Sequence, residues 1–406
     1  MTTNDALRLG IALEGAGWHP AAWREPSSRP LELFAPQYWT DLAQLADAAG
    51  IDFATIEDSL ALQSSTPFGP DTRIDEVRGR LDALLIAARL APVTERIGLI
   101  PTVTTTHTEP FHVSKAVATL DYASLGRAGW QPKVSGRFDE ARHTGRRDIP
   151  SFDDLNDPRT REAIAELFAE ATDVVEVVRR LWDSWEDDAE IRDVATDRFL
   201  DAEKLHTVDF DGEWFSVRGP SITPRPPQGQ PVVAALAHAD LPYRFAATSA
   251  DLVFVTPRDL DDARAILSEV RAIEAEIERD GEALRVYADI VTFLDDSAER
   301  AVDRLARLDA LGRPLASDTR VFTGSADELA DLIAELGDLG YAGVRLRPGV
   351  ATDDLPRIAD DLLPILRSRS ILAAAPAAAG LAAPTSLRER LGLPTTVPNR
   401  YASASA

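Results

Sequence analysis

Residues 92–135 read PVTERIGLIPTVTTTHTEPFHVSKAVATLDYASLGRAGWQPKVS, a succession of strand, polar loop, helix, turn and strand. Residues 97–100 are a short apolar run entered through the charged turn Thr94, Glu95 and Arg96, as a parallel strand buried on both faces would be. Hydroxyls at Thr102 and at 104–106, then His107, stand at its C-terminal end. Pro110 opens a helix whose apolar residues Phe111, Val113, Val117 and Leu120 recur at helical spacing. Gly126 and Gly129 bracket the turn into the next strand.

The same alternation runs outward in both directions. Strand candidates fall at 8–13, 53–56, 232–236, 252–255, 285–293 and 344–346. Helices are expected at 38–49, 81–90, 161–185, 242–249, 260–280, 298–311, 326–339 and 353–369. Strands alternating with helices predict a parallel sheet with right-handed crossovers. Two stretches interrupt the pattern. Residues 136–160 are polar, with Arg137, Arg142, Arg146 and Arg147 as a local basic cluster; they read as a solvated loop or as a lid meeting an anionic ligand. Residues 186–229 form a second excursion ending in the Pro-rich, extended segment VRGPSITPRPPQGQ. The domain division that follows is a barrel over 1–370 and an Ala-rich C-terminal arm over 371–406, lying along the surface or over a partner subunit.

With 67 acidic and 43 basic residues among 406, the net charge of −24 argues against nucleic acid and anionic membranes as partners. There is no cysteine, which removes disulfides, thiolate catalysis and zinc–sulfur sites; no metal site is expected. The N-terminus is polar, no run approaches the roughly 20 apolar residues of a membrane span, and a cytoplasmic enzyme is expected. The sequence has no GxSxG elbow, P-loop, HExxH or Rossmann fingerprint, so a bound cofactor is the economical source of chemistry.

Several words carry a resemblance: VTERIGL (93–99), EPFH (109–112), ATLD (118–121), GRAGW (126–130), VVRRLWDSWEDDA (177–189), the Pro-rich segment with its following PVV (217–233) and LRERLGLP (387–394). The chain resembles the bacterial-luciferase-like flavin monooxygenases, in the branch of the nitrilotriacetate, pristinamycin and dibenzothiophene-sulfone enzymes. That resemblance implies a (β/α)8 TIM barrel with insertions at the C-terminal face. It also implies the oxygenase component of a two-component system, in which a separate flavin reductase supplies reduced FMN. Oxygen then gives a peroxyflavin that oxygenates a small organic substrate. A homodimer or higher homo-oligomer is expected.

The resemblance assigns residues as well. Asp58, in Glu57-Asp58-Ser59 after the second strand, and Thr104 match positions at the isoalloxazine ring; an acidic pair there also reads as a turn or helix cap. Trp130 and Gln131 end the fourth strand, where relatives place an Asn near the flavin. His107 stands where the branch has Tyr and is the catalytic candidate, with a structural loop histidine as the other reading. Trp18, His19 and Trp23, after the first strand, either pack over the barrel mouth or wall the substrate pocket. At the phosphate end, an Arg-Tyr pair is replaced by Leu167 and Phe168, and a Gly-Ser-Ser loop by Ala237, His238 and Ala239, with Pro242 in place of a Gly. Either the flavin binds loosely, or His238, Arg244, the basic insertion and backbone amides at the helix start hold the phosphate, or the site has been abandoned. Two rivals share the barrel: a non-catalytic binding subunit, and a deazaflavin-dependent oxidoreductase.

Overall fold

The computed structural model describes every residue except 1–5, 67, 153, 280, 373–384 and 403–406. Eight parallel strands close into a ring: β1 Arg8–Leu13, β2 Phe53–Ile56, β3 Gly98–Thr104, β4 Gly129–Lys133, β5 Val232–Ala237, β6 Leu252–Val255, β7 Arg285–Leu294 and β8 Gly343–Pro348. β1 pairs with both β2 and β8, and β6 joins β5 to β7, so the expected (β/α)8 barrel is the fold. The surrounding helices are α1 Pro36–Ala49, α2 Ala83–Leu90, α3 Pro110–Ala123, α4 Phe138–Thr144, α5 Pro158–Asp183, α6 Asp240–Ser249, α7 Leu260–Glu276, α8 Ala298–Asp309, α9 Ala326–Leu339 and α10 Ala351–Arg357. α1, α3 and α5 start on proline, whose fixed φ suits a first turn. No helix among the described residues is long and apolar enough to cross a membrane.

Two layers fill the barrel. The lower one is apolar: Phe53, Ile100, Val232, Ala234, Leu252, Phe254 and Tyr287. Phe53 stacks on Phe254 at 5.8 Å and meets Tyr287 edge-on at 5.5 Å. Leu387, Leu391 and Leu393 join this cluster from the C-terminal segment, which closes the base of the barrel. The expected surface arm is therefore corrected for the tail that the structure describes; the Ala-rich run 373–383 lies outside the described residues. Above the apolar layer sits Arg345, fully buried, its guanidinium 4.0 Å over the Phe254 ring. Nε and Nη2 donate to the two Asp289 oxygens at 2.7 and 2.6 Å. Nη1 donates to Gln131 Oε1 at 3.0 Å and Thr55 Oγ1 at 3.1 Å, and Gln131 Nε2 donates to Thr102 Oγ1 at 3.0 Å.

Most of the shared words turn out to brace this frame. Arg127 of GRAGW donates to the carbonyls of Ala91, Thr94, Ile97 and Ser124, pinning the VTERIGL turn at the foot of β3. Asp121 of ATLD accepts from Gln228 N–H at 3.0 Å and Gln228 Nε2 at 2.6 Å, and Gln228 Oε1 accepts from Arg388 N–H at 3.0 Å. One buried carboxylate thus ties α3 to the Pro-rich segment and to the tail.

Burial pushes the Asp121 carboxyl up to about 6, against the hydrogen bonds from Gln228 and Ala128 that pull it down. A folded pKa above the unfolded one means that folding takes up a proton between about pH 4 and pH 6. The stability from this group is full at the acid end of that window and lost as pH rises through it. The slope is at most about 1.4 kcal/mol per pH unit. Asp121→Asn should lower stability overall and remove that slope, read from urea unfolding midpoints between pH 4 and pH 7.

The insertion after β4 is more ordered than a solvated loop. α4 and the chain beyond it bury Ala141, Ile149 and Phe152 with Leu167 of α5, and Phe68 packs on them from the loop after β2. Its basic cluster is largely paired: Arg137 with Asp139 at 2.7 Å, Arg146 with Glu109 at 3.5 Å, and Arg147 with Glu170 at 2.5 Å. The second excursion forms two small hairpins, Glu190–Asp193 with Arg198–Leu200 and Phe210–Asp211 with Ser216–Val217.

Candidate active site

The C-terminal ends of the barrel strands are where a parallel barrel presents its chemistry. β3 ends on Thr104, which pairs in register with Lys133 at the end of β4. The Lys133 side chain crosses the mouth and Nζ donates to the Asp58 carbonyl at 2.7 Å. Asp58, Thr104 and Lys133 are thereby brought together at one rim. Burial pushes the Lys133 ammonium pKa down, helped by Arg80 and opposed by the carboxylates of Glu57, Glu140 and Glu14. Burial raises Glu14, held against it by Arg80 at 3.6 Å, and the neighbouring Glu57 raises it further.

The loop after β3 is strapped to β4: Thr105 N–H donates to the Lys133 carbonyl at 2.8 Å, and Ser135 N–H donates to Thr106 Oγ1 at 2.9 Å. Beyond this strap His107 is 5% exposed, with neither ring nitrogen hydrogen-bonded, and it feels the charge of Glu140 of α4. Burial lowers its pKa and the nearby Glu140 carboxylate opposes that shift. Glu140 is itself fully buried; Ser59 Oγ donates to Oε1, and Oε2 has no partner. A buried imidazole and a buried carboxylate with spare hydrogen-bonding capacity are costly to leave unused, and together they mark a place for a polar ligand.

The other expected residues are placed as follows. The Asp58 carboxylate accepts from Ser59 N–H at 2.7 Å and from Ala83 N–H at 2.9 Å, at the first residue of α2, so its oxygens cap that helix while its carbonyl faces the mouth. Gln131 points inward but lies one layer below the rim, both ends of its amide taken by Arg345 and Thr102. Trp130 corrects the expectation of a flavin contact. It alternates with Gln131, so it faces outward, and it is buried in the cluster that holds Val113 and Val117 of α3 and Val174 of α5. His238 is exposed, just past β5 and before the Ala239 cap of α6. In the loop after β1, Arg347 lies 4.5 Å over Trp18, His19 Nε2 donates to Asp309 at 2.9 Å, and Trp23 Nε1 donates to the Asp75 carbonyl at 3.1 Å.

Glu14, Lys133 and Glu140 were not singled out from the sequence. For Lys133 a signal existed: it lies two residues past Gln131, on the same strand face. Glu140 gave none, because only folding of the insertion brings it back onto the mouth.

A luciferase-like monooxygenase family model matches residues 16–353, which include seven of the eight barrel strands and every mouth residue named above except Glu14. The chain belongs to the luciferase-like monooxygenase family. It is 32% identical over 361 residues to nitrilotriacetate monooxygenase component A of Aminobacter aminovorans, covering 88% of this chain and 74% of that one. It is 33% identical over 306 residues to the N-acetyl-S-(2-succino)cysteine monooxygenase of Bacillus subtilis, covering 75% of this chain but 65% of the relative. The crystal structure of a long-chain alkane monooxygenase superposes with a TM-score of 0.80 at 21% identity, over 97% of this chain and 96% of that one, and shares the fold.

Proposed function

We propose that this luciferase-like barrel is the oxygenase component of a two-component flavin-dependent monooxygenase. It would act on a small organic substrate with reduced FMN delivered by a separate flavin reductase. The observation that carries the reading is the family match over 16–353, and the buried, unpartnered imidazole of His107 at the mouth supports it. Reduced flavin that meets oxygen supplies the oxygenating chemistry. The chain's own residues do the rest. Thr104 and Lys133, paired at the ends of β3 and β4, offer a hydroxyl and an ammonium to the polar edge of the ring. His107 can give or take a proton at either ring nitrogen; burial favours its neutral form and Glu140 opposes that. α4 and the Phe68–Phe152 contact, 5.6 Å between ring centroids, cover the loops and keep water out.

Product formation should require protein, reductase, NADH, FMN and oxygen together. With the reductase omitted, NADH oxidation should stay at background; steady oxidation by the chain alone would contradict the reading. Nitrilotriacetate and N-acetyl-S-(2-succino)cysteine, for which two relatives are named, are the first compounds to assay. His107→Ala removes a buried side chain that makes no hydrogen bond, so its stability cost is that of the cavity left behind, read separately from the urea midpoint. Coupled product formation should fall by about 10²-fold, the usual contribution of a positioned acid or base. Unchanged turnover would make the histidine structural. A homodimer in the cytoplasm completes the proposal, and light scattering gives the mass that checks the oligomer.

The second reading, a barrel that has kept the fold and lost catalysis, is favoured by the carboxylates at the mouth's helix starts. It predicts that the protein leaves the reoxidation rate of reduced flavin unchanged in stopped-flow mixing with oxygen.

A further inference from the structure

A flavin mononucleotide brings a dianion to the barrel mouth, and the described residues hold no buried receptor for one. We propose that this chain takes its flavin by the ring and ribityl chain and binds the unphosphorylated flavin nearly as tightly as FMN. The proposal rests on the flavin reading above.

A helix start with free N–H groups is the usual phosphate receptor, and at α2, α5, α7, α8, α9 and α10 the chain's own side chains already accept from it. Asp58 and Asp82 accept from the first turn of α2. Asp259 caps α7, with Asp261 and Asp262 in its first turn. Ser297 caps α8 beside Glu299, and Ser325 with Glu328 forms a capping box on α9. At α10, Asp354 accepts from Val350 N–H at 2.8 Å. α1 and α3 carry no side-chain cap, but each begins on a proline, which removes one N–H, and Glu109 stands at the N-cap of α3, where its charge opposes an anion.

α4 is only seven residues long and carries Asp139 and Glu140 in its first turn, and Asp157 caps α5 by accepting from Arg159 N–H, so α6 is the remaining candidate and the position the family resemblance indicates. Its Ala239 cap offers no side chain, Pro242 removes an N–H, and Asp240 occupies the first turn. Asp240 accepts from Arg244 Nε at 3.0 Å, and the same guanidinium is held by Glu276 at 2.9 and 2.8 Å, so it is not free for an incoming anion. Where the resemblance would put an Arg-Tyr pair, Phe168 meets Phe245 of α6 edge-on at 5.9 Å. The other mouth arginines are committed in the same way: Arg80 to Glu14, Arg347 to Asp318, Arg147 to Glu170. His238 and Arg258, on the loops after β5 and β6, are exposed. An exposed charge pair contributes at most about 1 kcal/mol, or about fivefold in affinity.

The test is an anaerobic titration of the full chain with chemically reduced FMN and reduced riboflavin at the same ionic strength. Dissociation constants within tenfold of each other support the proposal. FMN binding tenfold or more tighter than riboflavin overturns it and leaves the oxygenase reading standing. Binding of neither overturns the flavin reading itself, and the proposal falls with it. Asp240→Ser combined with Pro242→Ala restores a donor-rich start to α6. It should tighten FMN severalfold and leave riboflavin unchanged; equal effects on both flavins would show that this helix start is not what withholds the phosphate site.

Discussion

Asp289→Ala should cost about 3–5 kcal/mol of stability, seen as a large fall in the urea midpoint. Asp289 sits fully buried in the centre of β7, between two guanidiniums that are themselves within the barrel. Arg345 gives it two hydrogen bonds, at 2.7 and 2.6 Å, and Arg347 adds a third contact. Removing the carboxylate leaves two cations sharing one low-dielectric layer. Arg347 keeps Asp318 at 2.8 Å, near solvent; Arg345 keeps neutral acceptors and Glu57 Oε1 at 3.3 Å. A folded domain holds a margin of only about 5–15 kcal/mol, so the variant should sit near the edge of folding. Replacing the trio together, Asp289→Leu with Arg345→Met and Arg347→Met, should recover most of the loss, because an apolar set of similar volume removes the desolvation penalty with the charges. A single variant that unfolds like the parent would mean that water reaches this layer and screens it.

That trio also shows where the sequence was legible and where it was not. The strand–helix alternation and the family words fixed the barrel, since each word is a local brace: Arg127 on the β3 turn, Asp121 on Gln228. Asp289 and Arg345 fall inside the strands expected at 285–293 and 344–346 but were not singled out, and Arg347 lies beyond the expected strand. Their pairing was not visible, because it depends on the register that sets Asp289 opposite Arg345. Depth was hidden for the same reason. Gln131 and Lys133 share a strand face, yet one is locked in the middle layer and the other reaches the rim. Trp130 was assigned by position in a word, and period-two alternation sends it to the helix layer. Glu140 needed the path of the insertion, which residue spacing does not encode.

The tail supplies the second large effect. Leu387, Leu391 and Leu393 are apolar positions in an otherwise polar segment, spaced for one turn of helix and the residue pair beyond it. Leu387 is fully buried beneath β3 and β4, where two glycines make room for it. A Cβ on Gly98 would come within 2.3 Å of Leu387 Cδ1, and one on Gly129 within 3.3 Å of Cδ2. Leu387→Ala should therefore cost about 2–5 kcal/mol, the range for emptying a well-packed core site. Gly98→Ala alone should also destabilise, by crowding the leucine. The pair is informative: the added methyl enters the space the leucine leaves, so the double variant should lose less than the sum of the singles by about 1 kcal/mol or more. Strict additivity in urea unfolding would place the two residues apart in solution, and a neutral Leu387→Ala would return the tail to the surface. The base of this barrel is thus covered by residues 387–393, whose three leucines complete the lower apolar layer.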